Sequence, residues 1–114
     1  MKSKIVSLSK NEDFKSILSG RKISNKYLTI FFKKLSDKDS KNLNISIVTK
    51  KKIGNAVKRN LIKRRIKTIM NDAVKKINIE LNYSYLLISK SSILNENYKK
   101  IKETIFKDFE NIKL

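Results

Sequence analysis

The chain has 114 residues, with 28 Lys and Arg against 10 Asp and Glu, no His, no Cys, a formal charge of +18 and 39% hydrophobic residues. That length carries one domain over 1–114, and its apolar content can offset the entropy of ordering, which excludes an acidic disordered tail. Without Cys or His the chain can build no disulfide framework, zinc site of thiolates or imidazoles, Cys nucleophile or Ser-His-Asp triad, and no apolar run is long enough for a membrane span or a signal peptide, so a cytoplasmic location is expected.

In chain order, Asn11-Glu12-Asp13 ahead of Phe14, Ile17 and Leu18 reads as the capped, acidic start of a short helix, with Gly20 as its stop. Residues 21–24 can add a short extra strand. Residues 27–33 are β-branched and aromatic, and 44–49 alternate polar with Ile, Ile and Val; the polar segment 36–43 between them would close a hairpin. After Gly54 the apolar period becomes helical, with Ile62, Ile66, Ile69, Ala73 and Ile77 at helical spacing and the pattern running to about Lys76. Residues 83–89 form another strand, and 95–112 a final helix with Ile101, Ile105, Phe106, Phe109 and Ile112 on its apolar side. No repeat or Pro or Gly/Ser linker interrupts this order, and helices packed on one face of a small mixed sheet, an α+β domain, would satisfy it.

The charge is unevenly placed. Twenty-four Lys, 17 Ile and 12 Asn with no Pro is a bias that AT-rich codons produce in almost any protein, so the lysine count alone says little. Arginine is scarce, yet three of the 4 Arg, at positions 59, 64 and 65, fall within seven residues. From Ser40 to Asn71 there is no Asp or Glu against ten Lys and Arg. A solvated helix usually interleaves both signs; a block of one sign points to an anionic partner, nucleic acid, rather than to a merely solvated face.

The apolar stripe of the long helix marks the side that packs on the sheet. Continued toward the N-terminus it meets Arg59, three residues before Ile62, and Asn55, seven before it. Burying an unpaired guanidinium is costly, so sheet and helix should diverge there and leave a groove, with Asn60, Lys63, Arg64 and Lys67 continuing round the same side as one cationic surface. In the strand, Phe31 and Phe32 must point to opposite faces. Phe14 shares its helix face with Ile17 and Leu18, which favours a core role.

The run Lys51-Lys52-Ile53-Gly54-Asn55-Ala56-Val57-Lys58-Arg59-Asn60-Leu61-Ile62-Lys63-Arg64-Arg65-Ile66-Lys67 closely resembles the signature of the bacterial ribonuclease P protein family. Asp13-Phe14 and Gly20 resemble the family's short N-terminal helix, and at lower specificity the resemblance covers nearly the whole chain. It implies a fold like the second domain of ribosomal protein S5, in the order α-β-β-β-α-β-α with a left-handed β-α-β crossover around the long basic helix, a hand that the general rule would not predict. It also implies a protein subunit that binds a catalytic RNA and the single-stranded 5′ leader of precursor tRNA, and so assists Mg²⁺-dependent endonucleolytic removal of the leader. The Mg²⁺ would be held by RNA and substrate, with no active site in the isolated protein and no protein partner.

Carried over by position, the catalytic RNA would meet Lys52, Asn55, Arg59, Asn60, Lys63, Arg64, Arg65 and Lys67, and the leader would lie in a cleft of Phe14, Leu18, Phe31 and Lys50. Lys67 stands where many relatives have Arg, which leaves a point charge in place of a bidentate fork. Leu18 replaces a frequent aromatic and Lys50 a frequent small residue, which gives a poorer stacking surface and a higher charge. Phe31 is the better candidate for the cleft. A structural RNA-binding protein of ribosomal type is the alternative. A DNA-reading helix fits badly because this helix follows a strand rather than a tight helix-turn, and a protein-only nuclease fits worst, because its carboxylates are few and scattered.

Overall fold

The computed structural model describes residues 5–7, 11–35 and 42–112. Its elements are β1 (Ile5–Ser7), α1 (Asn11–Leu18), β2 (Arg21–Ser24), β3 (Leu28–Lys34), β4 (Leu43–Val48), α2 (Ala56–Lys76), β5 (Tyr83–Ser89) and α3 (Tyr98–Glu110), with short 3₁₀ turns at Lys51–Ile53 and Ser91–Asn95. The strands form one mixed sheet in the order β1-β4-β5-β3-β2. β4 runs parallel to both β1 and β5, and β3 antiparallel to both β5 and β2. α2 is the crossover that brings the chain from β4 to its parallel neighbour β5.

Strand alternation sorts the side chains onto two faces. Leu28, Ile30 and Phe32 of β3, Leu43 and Ile45 of β4, and Tyr83, Tyr85 and Leu87 of β5 turn to one face and are buried there with Ile62, Ile66, Ile69, Met70 and Ala73 of α2 and Ile101, Ile105 and Phe109 of α3. The expected stripe of α2 is thus the packed one. Asp72 of α2 accepts a hydrogen bond from Lys102 Nζ of α3 at 2.7 Å, which ties the two helices together.

The alternate residues form the other face, and here two expectations are corrected. The helices do not all lie on one side: α1 packs on the opposite face, where Ile17, fully buried, meets Leu86. Leu86 points there because its neighbour Leu87 is committed to the main core. Nor do β3 and β4 form a hairpin. β5 lies between them, pairing with β3 through Phe31 opposite Leu86 and with β4 through Val48 opposite Ile88. A crossover helix after β4 delivers β5 as a long, apolar central strand, which takes the position a hairpin partner would have had; most of the polar segment 36–43 lies outside the described residues. The chain also opens with β1, a strand absent from the expected order, and α3 begins at Tyr98, capped by Asn97 Oδ1 accepting from the Lys100 N–H at 2.9 Å.

Gly20 ends α1 for a reason other than backbone freedom. Its φ is not positive; a Cβ there would lie 2.7 Å from the Phe32 carbonyl oxygen and 2.9 Å from Lys33 Cβ. Only a residue without a side chain lets α1 turn this closely over β3.

Candidate nucleic-acid interface

α2 presents the first candidate surface. Asn55 caps it, with Oδ1 accepting from the Lys58 N–H at 3.0 Å, so this amide oxygen already has a structural task while the residue stays exposed. Lys58, Asn60, Lys63, Arg64, Arg65 and Lys67 are exposed, as is Lys52 in the preceding 3₁₀ turn. No carboxylate occurs on α2 before Asp72, and among the described residues no ion pair neutralises these cations. They are a set of like charges held together by the fold and open to an anion.

Arg59 differs from the rest. It sits about 35° from the centre of the buried stripe, at about 100° per residue, is half-buried, and its Nε has no hydrogen-bond partner in the structure. A guanidinium N–H withdrawn from water and unpaired is a strong donor awaiting an acceptor such as a phosphate oxygen. Arg59 therefore lies on the side of the helix where the buried stripe turns polar. Arg65 does not share it: it lies about 200° round the helix from Lys63, on the flank occupied by Lys58. Lys63 and Lys67 continue from Arg59, Arg64 points outward, and Arg65 serves the opposite flank, so the eight residues wrap the helix rather than forming one patch.

The second surface lies on the α1 side of the sheet. Phe14 and Phe31, both half-buried, pack with Ile17, Leu86, Val48 and Ile88 in a small apolar cluster separate from the main core, and Leu18 is 48% exposed beside it. Phe32 faces the main core, as alternation requires. Lys22, opposite Phe31 in the β2–β3 register, brings its Nζ to 6.0 Å from the Phe31 ring centroid, at the outer limit of a cation–π contact. Lys50 is exposed, two residues past the end of β4. It lines an adjoining depression of about 580 Å³ together with Lys52, Lys90, Thr29, Ile53 and Ile88. Ile88 is common to both, so an apolar strip with aromatic faces runs into a basic hollow that reaches the turn ahead of α2. Lys22, Ile88 and Lys90 were not foreseen; alternation marks Ile88 as facing away from Leu87, but the pairing that sets it beside Thr29 and Val48 is non-local.

These surfaces can hold two stretches of single-stranded or backbone-exposed polyanion: bases on the apolar strip, phosphates on the lysines and on Arg59. Among the described residues no group of three or more Asp, Glu, His or Cys gathers as metal ligands. No described helix is long and apolar enough to cross a membrane.

The Ribonuclease P family profile matches residues 2–113. The ribonuclease P protein component of Carboxydothermus hydrogenoformans is 35% identical over 102 residues, covering 86% of this chain and 83% of that protein. That of Mycoplasma mycoides subsp. mycoides SC is 31% identical over 113 residues, covering 99% and 100%. Among solved structures, the RNase P protein of Thermotoga maritima superposes with a TM-score of 0.80 at 21% identity, covering 96% of this chain and 99% of that one. An RNase P protein from Staphylococcus aureus, a mutant with defective mRNA degradation activity, superposes with a TM-score of 0.77 at 24% identity, covering 90% and 83%. With the match spanning nearly its whole length, the chain belongs to the ribonuclease P protein family.

Proposed function

We propose that the chain binds the catalytic RNA of ribonuclease P through α2 and the single-stranded 5′ leader of precursor tRNA through the cleft between α1 and the sheet, and that it thereby assists endonucleolytic release of the leader in the cytoplasm. The observation that carries this reading is the junction of two surfaces with different chemistry. One is the stretch of α2 before Asp72, whose cations have no carboxylate partner among the described residues; the other is a half-buried aromatic strip that opens into the Lys50–Lys52–Lys90 hollow. A leader lying on the strip would stack bases against Phe31 and Phe14 without strong sequence preference while lysines follow its phosphates. The orphaned Nε of Arg59, together with Lys63 and Lys67, would take phosphates of the catalytic RNA.

The catalytic centre belongs to the RNA in this reading. Mg²⁺ ions held by RNA and substrate oxygens would supply the cleavage chemistry, and the protein's contribution is to hold the leader beside the RNA and to neutralise the phosphates that converge there. Its +18 charge lowers the amount of Mg²⁺ needed for that second task.

The test is reconstitution with a bacterial ribonuclease P RNA and an assay of 5′ cleavage of a precursor tRNA at low Mg²⁺. The expected result is cleavage at the mature 5′ end that needs both components. Cleavage by the protein alone, or no stimulation of the RNA, would overturn the proposal. A structural RNA-binding protein of ribosomal type would bind RNA yet give no stimulation.

A further inference from the structure

Four large apolar side chains are exposed among the described residues: Leu18, Val57, Leu61 and Tyr98. Leu18 belongs to the cleft. Val57 and Leu61, 77% and 38% exposed, are one turn apart on α2, so their Cβ atoms lie about 5–6 Å apart on one surface. At about 100° per residue both face away from the buried stripe, with Arg64 following in line and Lys58 and Arg65 alongside. A lone exposed apolar residue needs no explanation. This pair is different, because every other exposed residue of α2 from Lys58 to Asn71 is polar or cationic, and both side chains keep an open face, Val57 the larger one.

A second copy of the chain is a poor occupant. Self-pairing through this surface would bring Lys58, Arg64 and Arg65 of each copy against their equivalents, with no carboxylate on the helix before Asp72 to relieve them. What fits is a polyanion that also carries flat apolar faces, which describes RNA with a base out of its stack.

Resting on the reading that α2 holds the catalytic RNA, we propose that Val57 and Leu61 form an apolar seat for an unpaired base of that RNA, with Lys58 and Arg64 on the flanking phosphates. A contact of this kind releases no counterions. It adds affinity without adding salt dependence, and it favours a site in the RNA where a nucleotide is already unpaired.

The test compares the double variant Val57→Thr/Leu61→Gln with Arg64→Ala. All three positions are exposed and the replacements leave helix propensity about equal or higher, Thr matching Val and Gln standing close to Leu, so circular dichroism should stay as in the wild type. Affinity for the catalytic RNA is measured across a salt series, and the bound RNA is probed for base reactivity. The double variant should bind roughly tenfold more weakly at every salt concentration with an unchanged slope, and one base protected in the wild-type complex should become reactive. Arg64→Ala should flatten the slope. If the double variant binds as the wild type does while Arg64→Ala flattens the slope, the base seat is wrong and the helix reading stands. If neither variant changes binding, the helix reading itself fails and the seat with it. Weaker binding by the double variant with no change in any base's reactivity would also overturn the seat.

Discussion

Phe31 lets the two possible uses of an aromatic residue be separated. It is half-buried against Ile17 and Leu86, with the Lys22 ammonium 6.0 Å from its ring centroid, and belongs to the small cluster rather than the main core. Truncation of a fully buried Phe costs roughly 3–5 kcal/mol. With one side open, Phe31→Ala should cost about 1–2 kcal/mol of fold stability, which for a domain of this size lowers Tm by about 4–8 °C. A stacked base contributes about 1–3 kcal/mol, or about 5- to 150-fold in affinity, and this loss should appear only for substrates with an unpaired 5′ extension. The assay measures affinity of the reconstituted holoenzyme for a precursor tRNA and for the mature tRNA, alongside thermal unfolding of the protein. Phe31→Leu supplies the control: it keeps apolar volume, so Tm should fall less, while the flat face for stacking is lost and the precursor preference should still decline. Equal weakening for precursor and mature tRNA in folded Phe31→Ala would refute the reasoning and return Phe31 to the core.

Further outcomes follow from the same structure. Arg59→Ala/Arg64→Ala should weaken binding of the catalytic RNA and reduce the salt slope by roughly 0.7–0.9 per lost phosphate contact, with circular dichroism unchanged; an unaltered slope contradicts the role of α2. The Lys102 hydrogen bond holds the Asp72 carboxyl below its ordinary value against the opposing effect of burial. The pair's contribution to stability is therefore complete above the unfolded-state value of about 4 and is lost as pH falls through the lower folded-state value, so urea unfolding of Asp72→Asn should differ from wild type at pH 7 and converge with it in acid. Gly20→Ala should cost about 1–3 kcal/mol of stability by overpacking, because its Cβ would meet the Phe32 carbonyl at 2.7 Å; a wild-type Tm would show that α1 can shift freely. Single replacement of Asp13, Asp72 or Glu80 by the amide should leave the cleavage step within a few-fold of wild type at saturating Mg²⁺, whereas a loss on the order of a thousandfold would place a metal ligand in the protein.

What could be read from the residues alone follows the range of the interactions that decide it. The stripe Ile62, Ile66, Ile69 and Ala73 is a local periodicity, and α2 occupies Ala56–Lys76 with those residues buried. Alternation, also local, separates Phe31 from Phe32. Strand pairing is not local: nothing in residues 28–48 announces that β5, some forty residues later, will enter between β3 and β4. The same gap hid the second packed face, because it depends on Leu86 meeting Ile17 of α1. The basic block was legible in composition, yet its division between two flanks of α2 follows from where Arg65 falls relative to the buried stripe. Gly20 was legible as a helix stop; the cause, contact with the Phe32 carbonyl, needed the fold.

The central claim is that two surfaces of one small domain hold two different RNA segments, and site-directed crosslinking tests it most directly. A photoreactive side chain is placed either at Leu18, in the cleft, or at Lys63, on α2, both exposed and outside the packed core. Each variant is assembled with the catalytic RNA and a precursor tRNA and irradiated. Position 18 is expected to crosslink to the 5′ leader and position 63 to the catalytic RNA. Crosslinks from both positions to the same RNA segment, or from position 18 to the mature body of the tRNA alone, would contradict the claim.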